Sequence, residues 1–117
     1  MKTKLIELAT SKQIGFTSQM FTDTNWKHSL KEDLRYYLWM CELQKWCREE
    51  YDMLVLIESD MLTYDVSIYG KYALQEIRLS SYLSDPQTYL FTTYEQALEE
   101  GLYQTLLLIQ EKNEKGN

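Results

Sequence analysis

Met53-Leu54-Val55-Leu56-Ile57, then Ser59-Asp60, then Thr63-Tyr64-Asp65-Val66-Ser67-Ile68-Tyr69, is read as two strands joined by a turn. The first run is apolar without a break from Met53 to Ile57, the pattern of a central or well-covered strand. The second alternates. Tyr64, Val66 and Ile68 fall on one face and Asp65 and Ser67 on the other, because successive strand side chains point to opposite faces. Ser59-Asp60 supplies the turn, and Gly70-Lys71 is a second hairpin signal. Tyr72 to Leu83 is long enough for a third strand. Its phase slips between Leu74 and Ile77, as a bulge near Gln75 would cause. Asp85-Pro86 ends it.

Working upstream, Ser29-Leu30-Lys31-Glu32 fits a reciprocal capping box, and a helix follows to about Glu50. Tyr36, Trp39, Met40, Leu43, Trp46 and Cys47 recur at spacings of three and four, a core-facing stripe that Leu34, Leu38 and Cys41 widen. Downstream, Thr93 with Gln96, or Thr92 with Glu95, caps a last helix. Its buried face includes Ala97, Leu98, Gly101, Leu102, Thr105 and Leu106. Glu95, Glu99 and Glu100 come early, where the helix dipole favours anions. Gly101 in mid-helix costs about 1 kcal/mol against Ala, which close approach to the sheet would offset. At the N-terminus, Thr3 to Gln13 reads as a short helix with Thr3 as its cap. Gly15 is placed to end it in the left-handed conformation, and Phe16 to pack back. Residues 17–28 read as an irregular connection anchored by Met20, Phe21 and Trp26.

These elements predict one α+β domain over residues 1–117. A three-stranded antiparallel sheet (53–83) carries two long helices (30–50 and 93–110) on one face, in the order α-β-β-β-α. The N-terminal helix and its connection fill 1–28, the core fills 29–111, and 112–117 frays. The expected core is Leu43, Trp46, Val55, Ile57, Val66, Ile68, Ala97, Leu98, Leu102 and Leu106.

Composition narrows the function. The 117 residues are 44% hydrophobic and 26% charged, so the chain can bury a core and is not disordered throughout. The formal net charge is -6, opposite in sign to that of a protein that neutralises phosphates. Residues 1–50 hold eight basic and seven acidic side chains; residues 51–117 hold four and eleven, so the acidity belongs to the sheet and the last helix. The α-β-β-β-α order is that of double-stranded-RNA-binding domains. Those domains grip phosphate with lysines where this chain has Glu95, Glu99 and Glu100, and Lys31, Arg35, Lys45 and Arg48 are interspersed with acids. Nucleic acid is therefore not the expected partner. No apolar run reaches the roughly 18 residues of a membrane span, and no apolar signal-peptide core follows Met1-Lys2-Thr3-Lys4. A cytoplasmic protein without membrane contact is expected.

Catalytic and metal-binding patterns are missing. There is no phosphate loop, Gly-rich dinucleotide turn or His-Glu-x-x-His pair. His28 is the single histidine and reads as a surface or capping residue. Cys41 and Cys47 lie about 120° apart on one helix, so they neither bridge nor form a four-ligand zinc site with one histidine. Asp52, Glu58, Asp60 and Asp65 lack the spacing of a calcium loop and read as solvated turn charges. No catalytic residue, cofactor or metal site is assigned. The unusual feature is ten tyrosines. Those outside the core alternation, Tyr37, Tyr51, Tyr69, Tyr82, Tyr89 and Tyr103, form the candidate interaction surface, because exposed tyrosine gives large contact area at small entropic cost.

Three stretches carry a family resemblance. Leu38-Trp39-Met40-Cys41-Glu42-Leu43-Gln44-Lys45-Trp46-Cys47-Arg48-Glu49 resembles the Leu-Gln-Lys-Trp helix of a family of small uncharacterised proteins from phages and mobile elements of Bacteroidales gut bacteria. Ala9-Thr10-Ser11-Lys12-Gln13-Ile14-Gly15-Phe16 resembles that family's opening helix. Phe91-Thr92-Thr93-Tyr94-Glu95-Gln96-Ala97-Leu98-Glu99-Glu100-Gly101-Leu102 resembles its closing helix. Gln96 stands where Glu is usual and Cys47 where Leu is usual. The resemblance implies a small accessory protein acting in the bacterial host cell and carries no activity with it. The leading expectation is a non-catalytic protein-interaction module whose partner is a host or phage protein. The alternatives are a protein that binds or sequesters a nucleotide-like ligand, or a small enzyme, which a cavity lined by tyrosines with Lys or Arg would favour. An acidic DNA mimic or a weak nucleic-acid binder comes third.

Overall fold

The structure, a computed structural model, describes residues 1–18, 31–60, 62–80 and 90–115. Among them are three helices and one three-stranded antiparallel sheet, an α+β architecture. In chain order these are α1 (Lys2–Ala9), α2 (Glu32–Tyr51), β1 (Met53–Asp60), β2 (Thr63–Gly70), β3 (Ile77–Leu79) and α3 (Tyr94–Lys115). None of these helices is long and apolar enough to cross a membrane.

The β1–β2 hairpin keeps the expected faces, but Ser59 and Asp60 pair with Tyr64 and Thr63, so they extend β1 and are not the turn. Val55 pairs with Ile68 and Ile57 with Val66, so the apolar residues share one face. Leu54, Leu56, Glu58, Asp65, Ser67 and Tyr69 share the other. The strand order is β1-β2-β3, which places β1 at an edge and not in the centre. Its unbroken apolar run fits the other alternative, a well-covered strand. Its inner side chains enter the core, α2 packs alongside, and the Gln44 side-chain amide donates to the Val55 carbonyl at 2.8 Å. Leu56, on the outer face, stays partly exposed.

The third strand is shorter than the sequence suggests. Gly70 to Ala73 form a turn, with the Ala73 N–H donating to the Gly70 carbonyl at 3.1 Å, and pairing begins at Ile77, so the phase slip marks the strand's start and not a bulge; residues 81–83 and Asp85-Pro86 lie outside the described residues. Phe91 continues that side of β2, accepting the Tyr64 N–H at 3.0 Å. Gly70 has φ +137, and a Cβ there would overlap the Asp52 carbonyl, so the hairpin closes only on glycine.

α3 crosses the apolar face of β1 and β2. Gly101 sits over Val55 and Val66, which supplies the close approach expected of a mid-helix glycine. Its capping box forms as read from Thr93 and Gln96. The Gln96 N–H donates to Thr93 Oγ1 at 3.2 Å, and Gln96 Oε1 accepts the Thr93 N–H at 3.3 Å. The helix runs on to Lys115, where Lys115 pairs with Glu111 at 2.8 Å and Asn113 donates to the Gln13 carbonyl, so helical structure reaches Lys115; residues 116–117 lie outside the described residues.

α2 starts at Glu32 with Lys31 in the cap position; the Ser29 capping box and His28 lie outside the described residues. α1 has Met1 at its cap, two positions before Thr3, and ends at Ala9, four residues before Gln13. Beyond it, Gly15 adopts φ +70 and Phe16 turns back, its N–H donating to the Ala9 carbonyl at 2.8 Å. Phe16 is buried against Trp39 and Trp46, which tie α1's end to α2. The expected core residues are buried, except that Trp46 and Ile57 are half-buried at its margin.

Candidate functional site

The first turns of α2 and α3 lie side by side. The Tyr36 hydroxyl donates to Glu99 Oε2 at 2.6 Å, and the Tyr37 ring meets Tyr94 edge-on at 6.3 Å. Tyr94 in turn stands perpendicular to Tyr64 at 6.2 Å. Between the two helices runs a groove of about 430 Å³, lined by Asp33, Leu34, Tyr36, Tyr37 and Met40 from α2 and Glu95 from α3. The helical spacing makes it. Positions 33, 36, 37 and 40 form one stripe of α2, and the Thr93–Gln96 cap fixes where Glu95 emerges. Met40 forms the floor at 1% exposure, and Leu34 forms a lip at 45%. Asp33 and Glu95 are exposed.

Local chemistry keeps the hydroxyls neutral. Tyr37, hydrogen-bonded to the Cys41 thiol and partly desolvated, is pushed up to about 12. Burial and the bond to Glu99 raise Tyr36 further. Neither phenol is an ionised base near neutral pH. Burial likewise pushes the Cys47 thiol up to about 12, and both cysteines are free. No group of three or more metal-ligating side chains occurs among the described residues.

The tyrosines proposed as an interaction surface separate. Tyr37 lines the groove. Tyr51 is half-buried between Trp46 and Tyr72. Tyr69 is 37% exposed on the outer sheet face, its hydroxyl donating to Glu76 Oε1 at 3.0 Å. Tyr103 lines a different, shallower depression between α1 and α3 with Leu8 and Leu107. Tyr82 and Tyr89 lie outside the described residues.

The outer sheet face carries a polar network that the alternation indicates only in part. Asp65 is not a solvated turn charge. It is 5% exposed, and Arg78 donates to its Oδ2 at 3.2 Å from the neighbouring strand. Its Oδ1 is buried with no hydrogen-bond partner among the described residues. Asp52 and Asp60 stand at opposite ends of β1, roughly 25 Å apart at strand rise, so the four acids considered together do not converge.

No family model, characterised protein or solved structure matches the chain. The groove's chemistry therefore rests on this chain's own residues. Asp33 and Glu95, the two charges among its described lining residues, are 62 positions apart in the chain, and only the packing of α2 on α3 brings them together.

Proposed function

We propose that the chain is a non-catalytic protein-interaction module. On this reading a partner protein of host or phage origin docks in the groove between the first turns of α2 and α3. The observation that carries it is the makeup of that groove: an aliphatic floor and lip, tyrosine walls and a charged rim. That is the anatomy of a docking patch, with apolar contact at the centre and polar groups around it. The resemblance to small phage and mobile-element proteins supports an accessory role in the bacterial cytoplasm. The shared core of α2, α3 and the Val55–Val66 face supports both long helices lying on one side of the sheet, which puts their first turns within reach of one partner.

The groove's volume would hold a small ligand. A nucleotide fits it poorly, because among the described lining residues are two carboxylates and no Lys or Arg. DNA mimicry fares no better. Asp65 is buried against Arg78, Glu99 accepts Tyr36, and one Glu100 oxygen is buried, so these carboxylates face the protein rather than a regular outward array.

A photo-crosslinking residue at Leu34 tests the reading in host lysate, with the same residue at Leu74, on the far β2–β3 turn, as control. A discrete adduct from position 34 that Tyr37→Ala abolishes is expected. Adducts of equal yield from position 74, or insensitivity to Tyr37→Ala, would overturn it.

A further inference from the structure

First-turn carboxylates stabilise the helices that carry them. Asp33 and Glu95 would therefore specify no ligand by themselves. Two further observations give the pair a meaning. The first is what lies between them. Leu34 and Met40 offer aliphatic surface, and Tyr37, one turn from Asp33 on α2, lines the same groove. An apolar stem ending in a cation matches that combination of surfaces, because lysine buries its methylenes along apolar walls while its ammonium seeks carboxylates and aromatic faces.

The second observation is within the molecule. On the neighbouring flank of α2, Lys2 of α1 sets its ammonium 2.9 Å from Glu32 Oε1 and 5.0 Å from the centre of the Tyr36 ring. A carboxylate and a tyrosine one turn apart on α2 thus already hold one lysine. Asp33 and Tyr37 repeat the same i, i+4 pairing one residue along, in the groove, with Glu95 added from α3.

Resting on the docking reading above, we propose that the groove receives a lysine side chain of the partner protein. Its stem lies along Leu34 and Met40, and its ammonium sits at Tyr37 between Asp33 and Glu95. A point charge on a flexible stem suits two carboxylates on different helices better than the planar fork of arginine does. The groove's negative rim complements a basic partner surface and repels an acidic one.

The test titrates the full chain with a short Gly/Ser peptide carrying one lysine, followed by amide chemical shifts. The expected result is shifts centred on Leu34, Tyr37 and Glu95. Acetylating the lysine, or the charge-neutral pair Asp33→Asn with Glu95→Gln, weakens binding about ten-fold, the loss of ion pairs and a cation–π contact of ordinary strength. The variant's undisturbed shifts elsewhere show that it folds. Equal binding of the acetylated peptide, or shifts centred elsewhere, overturns the proposal. Tighter binding of an arginine peptide reassigns the groove to guanidinium and overturns it too. Free spermidine shifting the same residues as strongly as the peptide would make the ligand a polyamine, not a protein. If the lysine peptide fails while the Leu34 crosslink persists, only the lysine assignment falls; if both fail, the docking surface falls with it.

Discussion

Replacing Gly101 with alanine sets helix propensity against packing. In an exposed helix the change would gain about 1 kcal/mol. Here the new Cβ would stand 2.6 Å from Val66 Cγ1 and 2.8 Å from Val55 Cγ1, where ordinary carbon contacts lie at about 3.5–4.0 Å. Both obstructing methyls belong to β-branched residues on adjacent strands, both are buried, and neither can swing away without leaving its rotamer. Overpacking of this kind costs about 1–3 kcal/mol, and two simultaneous overlaps put it in the upper part of that range. The net expectation is a loss of about 1–2 kcal/mol. Urea unfolding followed by tryptophan fluorescence reads it as a midpoint lowered by roughly 0.5–1 M at unchanged slope. Val66→Ala removes the nearer methyl. In that background Gly101→Ala should cost less, with a coupling of about 1 kcal/mol. A raised midpoint for Gly101→Ala, or strict additivity in the double variant, would show that α3 does not rest on the sheet at this point.

Three other outcomes follow from the geometry. Arg78→Ala leaves the Asp65 carboxylate buried without its partner, so it should lower the melting temperature more than Lys115→Ala, which breaks an exposed pair; adding Asp65→Asn should restore most of the loss, and no rescue would mean that the buried charge is not the cause. Burial raises the Glu100 carboxyl above the ordinary glutamate range, so the unfolded chain gives up this proton at a lower pH than the folded one, and stability falls as pH rises between those two values. Glu100→Gln should therefore stabilise the protein at pH 7, with the gain vanishing below the ordinary glutamate range; a loss at pH 7 would contradict the desolvation. In thiol titration of the native protein, Cys41 should react and Cys47 should wait for denaturant, as its full burial requires; two fast thiols would place Cys47 at the surface.

What could be read from the chain follows the range of the physics involved. The alternation of Tyr64, Val66 and Ile68, the Thr93–Gln96 box and the glycine at 101 are local signals, and each appears in the structure where the pattern puts it. The left-handed Gly15 and the return of Phe16 were legible for the same reason, but the helix itself stops at Ala9, four residues short of Gln13, with Thr10 rather than a left-handed residue at its C-cap. The edge position of β1 was not. An unbroken apolar strand looks the same whether it is flanked by two strands or by one strand and a helix; the strand order, and Gln44 of α2 reaching the Val55 carbonyl, show which applies. The number of tyrosines does not by itself show which of them pack. Tyr51 belongs to an aromatic chain running from Phe16 through Trp46 to Tyr72, so its ring serves packing as much as surface.

The groove lies at the far end of that scale. Its α2 wall is a helical stripe that periodicity could flag, but Tyr36 and Met40 in such a stripe read simply as core, and Asp33 and Glu95 as ordinary first-turn acids. Their meaning changes only when the two helices start at the same end of the sheet. The chain has a physical reason to arrange them so. Tyr36 must reach Glu99 across the helix pair, and Tyr37 must meet Tyr94, whose other neighbour, Tyr64, is fixed by the Phe91 bridge to β2. The sheet thus sets Tyr94, Tyr94 sets Tyr37, and the gap left above Met40 is what remains when aromatic rings rather than aliphatic chains fill a helix crossing. Substituting Tyr94 by leucine should therefore act on the groove without touching its lining. Tyr37 would lose its edge-on neighbour, and the Leu34 crosslink should fall while the fold is kept.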